Sequence, residues 1–152
     1  MKNAIRSFLP FTLLVASAYA QTKSHAAEVA GLLEKSGYNY TKVSDGVWQI
    51  QFKGKNIGEF PVRVAVGGDI LVTLAKIADR KDLKLQAAFL TKLLELNDSI
   101  DSVKIVLSDE MLYVRMDTRL RALDAEELKY VLGQISGAVD EIYPQIKQYL
   151  PN

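Results

Sequence analysis

The chain has 152 residues, 19 basic and 18 acidic side chains, one histidine and no cysteine. The missing cysteine excludes disulfides, thiolate metal sites and a lipoprotein signal. The near-neutral balance argues against a nucleic-acid-binding role, which would normally show a basic patch or stripe.

Residues 1–20 read as a secretory signal. Lys2 and Arg6 form a positive start, Phe8 to Val15 an apolar run, and Ala18-Tyr19-Ala20 a small-residue cleavage site before Gln21. The apolar run is about half the ~20 residues that a membrane-spanning helix needs. The expected mature protein is therefore residues 21–152, periplasmic or secreted, with no stable membrane span. About 130 residues suffice for one domain with a sizeable core.

Ser24 is placed to cap a helix that runs to Ser36 and stops at Gly37, with Ala26, Val29, Ala30 and Leu33 as its apolar stripe. Tyr40 to Val43 and Val47 to Lys53 flank the turn residues Ser44-Asp45-Gly46 and read as a hairpin. Trp48, Ile50 and Phe52 alternate with Gln49, Gln51 and Lys53, the mark of a strand with one wet face. Phe60 to Val66 and Ile70 to Ile77 make a second hairpin around Gly67-Gly68-Asp69.

Asp82 then caps a predicted helix from Leu83 to Leu96, closed by Asn97-Asp98. Two strands follow, Ser102 to Leu107 and Met111 to Asp117. Asp124-Ala125-Glu126-Glu127 is a capping-box-like start. Behind it, Leu128, Val131, Leu132, Ile135, Val139, Ile142 and Ile146 recur at helical spacing. Pro144 predicts a kink or an end near Tyr143. The order α-β-β-β-β-α-β-β-α, with strands joined by tight turns, is an α+β fold: an antiparallel sheet with helices packed on it.

Catalytic and metal chemistry finds no purchase. His25 is the only histidine and sits at the edge of its helix, and no phosphate-loop, zinc-protease or nucleophile-elbow motif occurs. We expect no enzyme and no cofactor. Arg115, Arg119 and Arg121 are a modest basic cluster, a candidate anion site. The middle helix is more informative. Leu83, Ala87, Leu90 and Leu94 form one apolar flank, and Phe89, Leu93 and Leu96, with Leu85, widen the arc to roughly 200°, about twice what one buried stripe requires. Phe89, Leu93 and Leu96 are therefore the expected self-association or partner surface. Gly133 and Gly137 on the last helix permit the close approach of another backbone.

The element order resembles the type III secretion chaperone fold and the related YbjN-domain family over Ser24 to Leu150. The most recognisable stretch is Leu112-Tyr-Val-Arg-Met-Asp117, then Leu123-Asp-Ala-Glu-Glu-Leu128 and the long amphipathic helix. The resemblance implies a non-enzymatic module that binds a protein or peptide, often as a homodimer. The export signal and neutral charge depart from the chaperones, which are cytosolic and typically acidic. The alternative is an envelope small-ligand or lipid binder with an apolar pocket between sheet and helices. For the leader, the expected outcome is an exported protein whose intact mass begins at Gln21. A mature form that retains Phe8 to Val15 overturns the soluble reading.

Overall fold

The computed structural model describes residues 25–150. The leader, its cleavage site and the Ser24 cap lie outside them. Helix α1 (25–36) leads into strands β1 (Tyr40–Ser44), β2 (Val47–Lys53), β3 (Glu59–Gly67) and β4 (Ile70–Asp79). Helix α2 (Ala87–Ser99), β5 (Lys104–Leu107), β6 (Met111–Arg119) and α3 (Ala125–Ile146) complete the predicted order. The six strands form one antiparallel sheet in the order β1-β2-β3-β4-β6-β5. Two-residue turns, Asp45-Gly46 and Gly68-Asp69, close the first two hairpins, and both glycines take the positive φ that a side chain resists.

Alternation along each strand sends every second side chain to one layer. Trp48, Ile50, Val62, Val64, Leu71, Ala75, Leu112 and Val114 are buried on that layer. Val29 and Leu33 of α1, Phe89 of α2 and the whole stripe of α3 complete the same core. Helices therefore cover one sheet face, and the other face is open. Thr73 and Thr118 place hydroxyls inside this core without a hydrogen-bond partner, and nothing in the structure explains them.

The middle helix starts later than its sequence suggests. Arg80–Asp82 forms a 3₁₀ turn, and the helix begins at Ala87 with no side-chain cap at Gln86. Leu83 is buried and the Lys84 N–H donates to the Tyr149 carbonyl at 3.2 Å, which holds this segment extended across the C-terminal turn. Tertiary packing overrides the Asp82 cap. Likewise β5 begins at Lys104, not Ser102, because Ser102 adopts a left-handed φ of 67°. The Asp124 cap forms as expected, with its Oδ1 accepting from the Glu127 N–H at 2.8 Å.

Helix α3 does not end at Tyr143. It runs through Pro144 to Ile146. A proline there cannot donate to the carbonyl four residues back, which is that of Asp140. Asn56, in the loop between β2 and β3, takes over: its Nδ2 donates to the Asp140 carbonyl at 3.0 Å. The Asp140 carboxylate answers by accepting from the Asn56 N–H at 2.6 Å and the Ile57 N–H at 3.2 Å. Those backbone donors, the Asn56 N–H first, hold the Asp140 carboxyl below its usual pKa. A side chain at Gly54 would collide with the Asp140 carboxylate and displace the group that holds the loop.

This junction makes a coupled prediction. Asn56→Ala should lower the melting midpoint by about 2–4 °C, because it orphans the Asp140 carbonyl. In a Pro144→Ala background the helix supplies its own donor, and the same change should cost clearly less. Equal costs in both backgrounds would show that Asn56 does not stand in for the missing helical bond.

Candidate protein-binding surface

The two apolar flanks of α2 are exchanged relative to expectation. Phe89, Leu93 and Leu96 are the buried residues of this helix, at 0%, 6% and 2% exposure. They are core and are not available as a partner surface. Phe89 stacks on Tyr149 with ring centroids 4.8 Å apart, which orients the helix with these residues inward. Asn97 fixes the same orientation from the other end. Its Oδ1 accepts from the Ile105 N–H at 2.8 Å, and its Nδ2 donates to the Ile105 carbonyl at 3.0 Å. The flank that faces out is Leu85, Leu90 and Leu94, at 42%, 43% and 71% exposure.

Asn97 has a second effect. It satisfies both backbone groups of Ile105 on the outer side of β5, as a neighbouring strand would, so that edge of the sheet is occupied. The opposite edge is β1. Among the described residues no strand pairs with its outer side, and four of its five residues are exposed. Tyr40, Thr41 and Lys42 pair regularly with β2 before a bulge at Val43, itself half-exposed.

Beside β1, a cleft of about 330 Å³ is lined by Ala26, Ala27 and Ala30 of α1, Lys42, Asp45, Gly46 and Trp48. Three alanines in this helix leave the space open, and the Trp48 ring forms an apolar wall. Lys42 and Asp45 pair at its rim, 2.7 Å apart. An unpaired strand edge beside an apolar slot is what an extended peptide needs: backbone bonds from the edge, side-chain recognition from the slot. The sequence marked Ala26 and Ala30 only as helix stripe, and nothing in it showed that they border a sheet edge.

The other candidates disperse. Arg115 lies on the open sheet face, where the Asp117 carboxylate at 2.7 Å raises its pKa. Arg121 instead lines a cleft at the turns, with His25, Glu28, Asp69 and Arg119. The three arginines therefore do not converge on one anion. The His25 Nδ1 donates to the Gly68 carbonyl at 3.0 Å, a fold contact. Gly133 and Gly137 face solvent with no atom near where a side chain would stand. No three His, Asp or Glu side chains gather as a metal cluster among the described residues, and no described helix is long and apolar enough to cross a membrane.

No family model and no curated protein matches this chain. Solved structures do. YbjN from E. coli, described as a proposed transcription regulator, aligns at a TM-score of 0.61 and 15% identity, over 83% of this chain and 95% of its own. The heterodimeric ExoU–SpcU complex from the type III secretion system of Pseudomonas aeruginosa aligns at 0.53 and 14%, over 75% and 93%. The HopA1–SchA chaperone–effector complex aligns at 0.50 and 9%, over 81% and 90%. The fold is the one shared by YbjN and the type III secretion chaperones.

The exchange of flanks is testable at neighbouring positions. Leu93→Asp should abolish the cooperative melt, because a charge would be buried without a partner. Leu94→Asp should melt within about 0.5 kcal/mol of wild type. Sedimentation of the Leu94→Asp protein reads the self-association expected from the sequence, which now falls to the Leu85–Leu90–Leu94 strip. A wild-type dimer that becomes a monomer places it there, and a wild type that sediments as a monomer removes it.

Proposed function

We propose that this chain is an exported, non-enzymatic module that binds an extended segment of a protein partner. The segment adds to the outer edge of β1 and drops an apolar side chain into the alanine-lined slot. The observation that carries this reading is the asymmetry of the two sheet edges: Asn97 occupies the β5 edge, and the β1 edge runs beside an open apolar cleft. The fold supports it, because one of its solved relatives is a chaperone bound to an effector. The space between sheet and helices is filled by fully buried side chains such as Phe89, Leu112, Leu132 and Ile142, which favours a surface partner over an enclosed apolar ligand.

A photo-cross-linking side chain at Val43, in protein expressed in its own host, should capture a polypeptide. Ala30→Arg fills the slot with bulk and charge from a position outside the buried core, and should weaken that capture at least about tenfold. Adducts unchanged by Ala30→Arg would overturn the reading, as would cross-linking only to small molecules.

A further inference from the structure

The sheet face turned away from the helices is sorted by charge. Strand pairing places six basic side chains on it, Lys53, Arg63, Lys76, Lys104, Arg115 and, at the strand end that also borders the His25–Glu28 cleft, Arg119, against three acidic ones, Glu59, Asp79 and Asp117. The remaining part of residues 21–152 holds eleven basic and fifteen acidic side chains. A chain with almost no net charge thus carries a face of about +3 and a remainder of about −4.

The cations are concentrated further. One cross-strand row runs Gln49, Arg63, Leu74, Arg115, Lys104. Lys104 stands directly opposite Arg115, an arrangement that costs stability between like charges. Among the described residues only Arg115 of the row forms an ion pair, with Asp117 at 2.7 Å, while Arg63 shares a shallow cleft with Lys76, Asp79 and Glu110. Arg63 makes just a 3.5 Å contact to the Gln49 amide oxygen, and Lys104 forms no ion pair among the described residues. The row is flanked by half-exposed apolar side chains, Val72 and Ala65 on one side, Tyr113 and Val106 on the other.

We infer that this face is a docking surface for an acidic polypeptide segment that alternates carboxylates with apolar residues. Charge complementarity selects the acid, and the apolar side chains beside the row select a segment that is not uniformly charged. A second copy cannot cover the face symmetrically, because each copy would bring its own positive excess to the contact. Nucleic acid would set its phosphates against Glu59, Asp79 and Asp117. From Arg63 to Lys104 the row crosses three strand spacings, about 14 Å, which some four extended residues span. This inference rests on the peptide-binding reading and extends it to a second surface.

The test uses a labelled peptide of alternating glutamate and valine, with a lysine–valine peptide as control, titrated onto the mature protein and two variants. Wild type should bind the acidic peptide and not the basic one. Arg63→Glu with Lys104→Glu, both exposed and outside the core, should weaken binding about tenfold or more, and added salt should weaken wild type likewise. Ala30→Arg should leave the affinity unchanged. Affinity lost in Ala30→Arg but kept in the charge-reversed protein would place the peptide on β1, overturning this inference while sparing the proposed function. No binding of the acidic peptide, or displacement of it by an equal concentration of single-stranded DNA, would overturn it too, and the Val43 cross-link would still judge the β1 site separately.

Discussion

Every other feature follows from the helices lying on one side of the sheet. The α3 stripe alone buries eight side chains, from Leu128 to Ile146. Ile146 and Leu150 lie beyond Pro144, and at about 1.5–3 kcal/mol for each buried aliphatic side chain their burial offsets the ~3 kcal/mol that a proline costs inside a helix. This is why α3 runs through Pro144, with Ile142 and Ile146 both fully buried around it. Ending the helix at Tyr143 would release Ile146 and the turn that follows, whose Tyr149 stacks on Phe89. Hydrophobic packing wins, and the local backbone defect is passed to another part of the chain.

That defect is repaired by a loop 84 residues away. Asn56 supplies the donor that Pro144 lacks, and the Asp140 carboxylate secures the loop that carries Asn56. The exchange ties the β2–β3 connection to the last helix. Asn97 is built on the same principle at the opposite corner, where one amide side chain completes both hydrogen bonds of an edge residue. In each case a polar side chain stands in for a piece of backbone. Asn97 also closes β5 at Ile105, whereas β1 has no partner on its outer side among the described residues.

The strands and α3 were legible because their periods are unambiguous. Trp48, Ile50 and Phe52 alternate cleanly, and the three-and-four spacing from Leu128 onward admits one reading. The middle helix was not. With leucines at 90, 93, 94 and 96, its apolar arc has two flanks of similar composition, and only the position of Tyr149 and of β5 chooses between them. Its start was misread for a related reason, since the Asp82 cap is a local signal and the Lys84–Tyr149 bond is not. Asn56 carries no local signal of its role, because its partner lies far along the chain. The net charge concealed most: a total near zero is compatible with an even mixture or with a sorted one, and only strand register shows that six cations share a face.

The row that holds those cations does not stop at β3. Through Gln49 it reaches Thr41 on β1, so one line of paired residues joins the unpaired edge to Lys104 on the far side. In the proposed function the edge would recognise backbone, which every polypeptide offers. The slot beside it would recognise one apolar side chain, which many polypeptides offer. Neither is selective by itself, and a strand edge that accepted any extended chain would be an aggregation hazard. Under the proposed function, a charged row that meets that edge at a right angle would add the missing discrimination for a partner that also crosses the open face, because a basic segment would be repelled and an uncharged one would gain nothing from it. Such a division, with affinity from the edge and choice from the open face, requires that the open face stay uncovered. The one-sided packing of the helices provides that condition.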